Sequence, residues 1–237
     1  IMNEHHKFFS ELTDLYASAR PKYPPELFAF LFKHVPDFNI AWDCATGSGQ
    51  AAISLAEKFQ RVYASDVSSE QISQAFKHER ITYSTQESEH TNYSDNSFSL
   101  ITVATALHWF DFNQYWNEVD RVLKPQGIFA AWTYTWFTVD DDIDSIIKTS
   151  LLDIIEPYWT PQHKICWNGY KDLEIPFTEL QVPEMTLINN WNLNELLAYL
   201  HTWSATRKYM KDHGDQFFID LKKSLLPLWG KEVNVKQ

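Results

Sequence analysis

Cysteine is scarce in this 237-residue chain: Cys44 and Cys166 are the two present, and neither belongs to a Cys-x-x-Cys pair. That excludes a disulfide framework and a thiolate metal site, and a reducing cytoplasm suits such usage. Long apolar runs are missing as well. No stretch reaches the roughly 18 residues that crossing a bilayer takes, and residues 1–7 lack the apolar core of a signal peptide. No membrane partner is therefore expected, and the expected localisation is cytoplasmic. Basic residues are the third shortage, with 20 Lys and Arg against 31 Asp and Glu and a formal net charge of −11. A phosphate backbone needs a basic surface that no segment supplies, so no nucleic-acid partner is expected. Internal repeats and low-complexity linkers are also absent.

What is present suffices for one α/β domain, since 44% of the residues are hydrophobic and 16% aromatic. Apolar strands at 40–44, 61–65, 81–85, 99–104 and 127–133 alternate with amphipathic helices at 51–58, 69–76 and 112–123. The run Leu123-Lys124-Pro125-Gln126-Gly127 reads as the stop between the last of these helices and the fifth strand. This order predicts a doubly wound, mostly parallel sheet. From 139 to 169 the pattern changes to an Ile- and Leu-rich helix and the aromatic loop Pro157-Tyr158-Trp159-Thr160-Pro161, read as an insertion or lid. A strand within 177–190, helices over 193–210 and 215–228, and a short tail at 232–236 follow.

Chemistry concentrates in the run Ala41-Trp42-Asp43-Cys44-Ala45-Thr46-Gly47-Ser48-Gly49-Gln50, where a buried strand ends in a glycine turn and a helix begins. Gly47 and Gly49 permit tight turning and close approach of a ligand. Asp66, at the end of the second strand, is placed to accept hydrogen bonds from both ribose hydroxyls of an adenosine group. The spacing Gly47-x-Gly49-x-x-Ala52 also satisfies the dinucleotide fingerprint. Asp43, however, puts a carboxylate where a pyrophosphate would be repelled and where the amino group of an amino-acid moiety would be neutralised. That points to S-adenosylmethionine. Two alternatives stay open: a nicotinamide-dependent dehydrogenase, although no tyrosine here has a lysine four residues later, and a non-catalytic binding module.

The chain resembles the class I S-adenosylmethionine-dependent methyltransferases, and among them the trans-aconitate methyltransferase-like proteins that methylate small carboxylic acids. The resemblance rests on Ser18-Ala19-Arg20-Pro21-x-Tyr23-Pro24, the Asp43 to Gly49 turn, Asp66, Leu107-His108-Trp109-Phe110-Asp111-Phe112, Leu123-Lys124-Pro125-x-Gly127, Pro157-Tyr158-Trp159 and Thr202-Trp203-Ser204-Ala205. It implies a Rossmann-like, seven-stranded α/β sheet with a helical and aromatic lid, in one methyltransferase domain over 1–237. Within it, 1–38 would be an N-terminal cap, 39–135 the cofactor-binding core, 136–215 the lid and acceptor region, and 216–237 a C-terminal helix and edge strand. The seventh strand is expected to be short or cut off by the end of the chain.

The resemblance further implies that Asp43, Ala45, Gly47, Gly49, Asp66, Glu87 and Ser88 bind the cofactor. Ala45 stands where many members have glycine, and Glu87 takes the place of an acidic residue near the adenine amino group. The acceptor would be a small molecule, expected to be a carboxylic acid, and no metal is needed for its methylation. An anionic acceptor needs a cation, and Arg20 is the candidate because its planar fork grips a carboxylate bidentately. Tyr23, Trp109 and Trp203 are the further substrate-binding candidates. His108 follows the fourth strand at the carboxyl edge of the sheet and is, with Arg20, a candidate catalytic residue. It would donate a hydrogen bond, or act as a base toward a hydroxyl or amine. Arg207 and Lys208 offer a second clamp, and one of Trp132, Tyr134 and Trp136 is expected to wall the transfer site.

Overall fold

Ile40-Ala41-Trp42-Asp43-Cys44 forms a strand because extension sends Ala41 and Asp43 to one face and Trp42 and Cys44 to the other, and all four are buried. The computed structural model describes Phe8, Phe9, Leu12 and residues 21–237. These divide into two compact units, residues 23–135 with 162–186, and Phe8, Phe9, Leu12 and residues 21–22 with 136–161 and 187–237.

The first unit is built on five strands, β1 (Ile40–Cys44), β2 (Arg61–Asp66), β3 (Ile81–Thr85), β4 (Phe98–Ala104) and β5 (Leu123–Trp132). They are all parallel and lie in the order β3-β2-β1-β4-β5. The order reverses between β1 and β4, which makes the crevice at their carboxyl ends the topological switch point where open α/β sheets bind ligands. On one face α1 (Pro25–His34) and α2 (Gln50–Ala56) bury Phe28, Leu31, Ala52 and Leu55 against Ala41, Val62 and Leu100. On the other, Tyr115, Val119 and Val122 of α4 (Phe112–Val122) pack on Trp42, Ile101 and Val103. Between β2 and β3 runs the short α3 (Ser69–Ser73), capped by the Ser68 hydroxyl. The helix Pro161–Trp167 also belongs to this unit from residue 162 onward.

The second unit is helical, with Asp141–Ile147, Leu193–Thr202, Ser204–His213 and Gln216–Trp229 as its longer helices. Its core gathers Leu12, Ile143, Leu151, Leu196, Phe218 and Leu225. No described helix is long and apolar enough to cross a membrane.

Three expectations are corrected. The described residues hold five strands, not seven: 177–190 forms no strand, and the tail contributes one antiparallel bridge, Trp191 to Lys236. Pro183 interrupts that segment and Pro176 precedes it, and Val182 and Ile188 within it are exposed. The expected helix over 193–210 is two helices, because Trp203 is extended at φ −61° and ψ 133°. Finally, residues 123–127 do not precede the fifth strand but open it. Leu123 pairs with Phe98 and Ile128 with Leu100, and the excess residues between them, with Gln126 at φ 65°, form a bulge.

Candidate active site

The turn after β1 sets the geometry of the cofactor end. To swing from strand to helix within five residues the backbone enters the left-handed region at Ala45 (φ 52°), Gly47 (φ 55°) and Gly49 (φ 83°). Asp43 lies 1% exposed beneath this turn. It accepts from the hydroxyls of Thr46 and Thr102, the latter at 2.7 Å, and from the Ala52 N–H. Burial pushes its carboxyl up to about 6 and the charge of Asp66 adds to this, while those three hydrogen bonds oppose it. Asp66 accepts from the N–H of Gly47 and of Ser68, each at 2.9 Å, so it ties the first turn to the second. Each of its oxygens keeps a further lone pair for a ligand.

Ala45 departs from glycine at a cost. An L-residue in this conformation is disfavoured by roughly 1–2 kcal/mol, partly offset by the greater freedom glycine has when unfolded. Ala45→Gly is therefore expected to stabilise the protein by up to about 1 kcal/mol, read as a higher urea midpoint at unchanged slope. A lower midpoint would show that the alanine methyl group has a packing role that outweighs the strain.

Gly49 and Ser88 take different places from those expected. A Cβ on Gly49 would lie 2.2 Å from the Tyr83 hydroxyl, so its bare Cα makes room for a neighbouring side chain. Ser88 is buried and hydrogen-bonds the Cys44 thiol instead of facing the sheet edge. Glu87 is exposed. Two residues here were not anticipated from the sequence. Val67, 68% exposed directly after Asp66, presents an apolar surface beside the ribose-binding candidate. Glu89 accepts from the Asp111 N–H at 3.0 Å and so anchors the start of the helix that follows His108.

At the ends of β4 and β5 the structure brings together Tyr23, Thr105, His108, Trp132, Thr133 and Tyr170. The Tyr23 hydroxyl is 3.5 Å from Thr105 Oγ1, and its ring meets Trp132 edge-on at 5.4 Å. The Trp132 Nε1 atom is buried and has no hydrogen-bond partner among the described residues. His108 is 5% exposed, with Nδ1 3.2 Å from the Tyr170 hydroxyl. Burial, and secondly the charge of His163, pushes the imidazole down to about 4, so it is neutral at neutral pH. Trp109 is 54% exposed and edge-on to His163.

The remaining candidates belong to the second unit or fall outside the described residues. Trp203 belongs to the helical unit, where its ring packs within 6.4 Å of Trp136, Phe137, Trp159 and Tyr199. Arg207 and Lys208 are exposed in the same unit. Arg20 lies outside the described residues. Among the described residues no group of three or more His, Cys, Asp and Glu could hold a metal ion.

A parallel sheet with its switch point between β1 and β4, a glycine turn braced by two carboxylates and an acidic residue after β3 defines a nucleotide-type site for a cationic ligand. Residues 40–57, 62–76 and 81–120, which include the ends of β1 to β4 and the turns after them, contain no Lys or Arg. A pyrophosphate would meet carboxylates and no cation there, whereas a sulfonium with an ammonium group is matched.

The comparisons agree. The methyltransferase domain family matches residues 42–131. A solved structure from Anaeromyxobacter dehalogenans, designated a type of methyltransferase, superposes with a TM-score of 0.84 at 35% identity and covers 92% of each chain. A Dictyostelium discoideum protein designated a methyltransferase is 28% identical over 222 residues, 92% of this chain and 84% of its own. The methyltransferase pgmE of Aspergillus terreus is 30% identical over 190 residues, of which this chain spans 57% of its length. The chain belongs to the class I S-adenosylmethionine-dependent methyltransferases. It is an enzyme that uses S-adenosylmethionine to methylate an acceptor.

Proposed function

We propose that this methyltransferase acts on a small molecule, and that it methylates a carboxylate oxygen of a small organic acid. The observation that carries the reading is the state of His108. A buried, neutral imidazole with a pKa of about 4 is a weak base, so an acceptor that must lose a proton is poorly served, whereas a carboxylate is already ionised.

S-adenosylmethionine supplies a methyl group on a sulfonium, which needs only a nucleophile held in line with it. The chain's own residues divide that work. Asp43 would face the ammonium group through the turn, Asp66 would accept from the ribose hydroxyls, Glu87 would take the adenine amino group, and Val67 would give the purine an apolar surface. Gly47 and the left-handed turn let the backbone come close. On the acceptor side Arg20 would grip the carboxylate, with Tyr23, His108 and the unpartnered Trp132 N–H as further donors to its oxygens. Orientation of this kind reaches effective molarities of about 10⁵ M or more, so positioning supplies most of the rate.

The test is labelled methyl transfer to a panel of small carboxylic acids, trans-aconitate included, with phenols and amines as comparison acceptors. Turnover of an acid is expected. Arg20→Ala is expected to raise the KM for that acid at least tenfold while leaving the affinity for S-adenosylhomocysteine within twofold, since one charge-assisted contact is worth about 1.5–3 kcal/mol. Equal losses of both would make Arg20 structural. Preference for phenols or amines would overturn the carboxylate reading. No turnover with intact S-adenosylhomocysteine binding would favour the non-catalytic module.

A further inference from the structure

We infer that Thr105 is a positioning residue for the acceptor: the strained turn it makes at the end of β4 holds Tyr23, Trp132 and His108 in one arrangement, and that strain serves turnover at a loss of stability. The inference rests on the acceptor site proposed above, but not on the chemical class of the acceptor.

The observation that starts it lies in the backbone. Five non-glycine residues among the described ones have a positive φ. Asn96 is of a type that tolerates this and lies in a turn, Gln126 sits in the β5 bulge and Ala45 in the cofactor turn. The other two are of types for which the conformation is an outlier, the β-branched Thr105 at φ 55° and the bulky Tyr170 at φ 62°. Both flank one imidazole. Thr105 precedes His108 by three residues, and the Tyr170 hydroxyl is 3.2 Å from His108 Nδ1. Strain of this kind persists only where the surroundings hold it in place, and it gathers at active sites and ligand clamps.

Three pieces of chain meet at Thr105. Its N–H donates to the Trp132 carbonyl at 2.8 Å, beyond the last paired residue of β4, and so fixes the residue whose buried indole N–H has no partner among the described residues. Its hydroxyl donates to the Ala104 carbonyl at 2.7 Å, which sets the side chain's rotation, and the same Oγ1 lies 3.5 Å from the Tyr23 hydroxyl. Past it, the left-handed step turns the chain out of the strand direction into the short turn Leu107–Trp109, which buries Leu107 and His108. Four more extended residues would instead carry His108 roughly 13 Å beyond Ala104. Glycine would make the same turn without strain, so the turn alone does not call for a threonine. What the side chain adds is the Oγ1 atom beside Tyr23.

The test measures stability and turnover together in the full chain, with whichever acceptor of the panel is methylated. Thr105→Gly keeps the φ and removes both the strain and the side chain. Its urea midpoint is expected to be no lower than the parent's, while kcat/KM for the acceptor falls at least tenfold and the affinity for S-adenosylhomocysteine stays within twofold. A misplacement of 1 Å can cost about 100-fold in rate. A merely structural residue would give the opposite pattern, a lower midpoint with parental turnover, and that result overturns the inference. Thr105→Ser, which keeps the hydroxyl, is expected to recover most of the lost kcat/KM. Thr105→Val, which keeps the shape and the strain without the hydroxyl, is expected to turn over as slowly as the glycine variant. Equal rates for the Ser and Val variants overturn the inference even if Thr105→Gly fails to fold. A phenol or amine methylated with a tenfold loss in Thr105→Gly would sink the carboxylate reading and leave this one standing. An acid methylated undiminished by Thr105→Gly would do the reverse, and no turnover of any acceptor would overturn both.

Discussion

Replacing Asp43 by Asn is expected to weaken S-adenosylhomocysteine binding at least tenfold while making the unliganded protein more stable at neutral pH. The stability half follows from burial. Asp43 ionises near pH 6 in the folded chain against an ordinary 3.8, so the folded state holds this proton more tightly than the unfolded one. The contribution of such a group is full below pH 3.8 and is lost as pH rises through 6, and at pH 7 the buried charge costs roughly 3 kcal/mol. Asn has no charge to bury. It must still accommodate the hydroxyls of Thr46 and Thr102 and the Ala52 N–H with one acceptor fewer, which reduces the expected gain to about 1–2 kcal/mol. The binding half follows from losing the carboxylate proposed above to face the ammonium group.

The same variant uncovers a second titration. His108 ionises near 4 against an ordinary 6.5, so it favours the folded state above pH 6.5 and loses that contribution as pH falls toward 4. In the parent chain Asp43 and His108 act in opposite directions between pH 4 and 6. In Asp43→Asn only the histidine remains, and urea midpoints are expected to fall more steeply on acidification. A variant less stable at pH 7 with the parent's pH slope would show that the hydrogen-bonding role of Asp43 outweighs its desolvation. Unaltered ligand affinity would confine Asp43 to bracing the turn.

What the sequence made legible was local. Strands β1 to β4 and the turn from Asp43 to Gly49 stand out because short apolar runs and the placing of glycines are read within ten residues. His108 was singled out for the same reason, by its place four residues beyond the end of β4. The misses are long-range. Tyr170 meets His108 across 62 residues and the Trp191 to Lys236 bridge closes across 45, and neither leaves a periodic signal. The break at Trp203 is hidden because 193–202 and 204–213 are each amphipathic and abut without a proline or glycine. The bulge at the start of β5 was read as a stop because Pro125 and Gly127 signal both. Asp43 and Asp66 were read as ligand groups, and Thr46 and Gly47, which hydrogen-bond to them, lie in the same turn, but their other partners Thr102 and Ser68 carry no motif of their own.

Gly49 is where the local and the long-range readings can be separated. Gly49→Ala is expected to destabilise the protein by roughly 3 kcal/mol. The left-handed φ of 83° accounts for about 1–2 kcal/mol of that. The remainder comes from a Cβ placed 2.2 Å from the Tyr83 hydroxyl, which cannot simply swing away because it donates to the Phe76 carbonyl at 2.6 Å. Moving it gives up a hydrogen bond worth about 1 kcal/mol. Tyr83→Phe alone is expected to cost about that bond. In the double variant the nearest ring atom is Cζ, 3.1 Å from the new Cβ, so the two changes should cost about 1 kcal/mol or more less than their separate effects combined. Gly49 also caps α2, and its carbonyl accepts from the Ile53 N–H. A displaced turn should therefore lower S-adenosylhomocysteine affinity in Gly49→Ala and recover part of it in the double variant. Strictly additive costs would mean that Tyr83 is not what requires glycine here, and the close approach of the bound nucleotide, the reading the motif suggests, would become the reason for its presence.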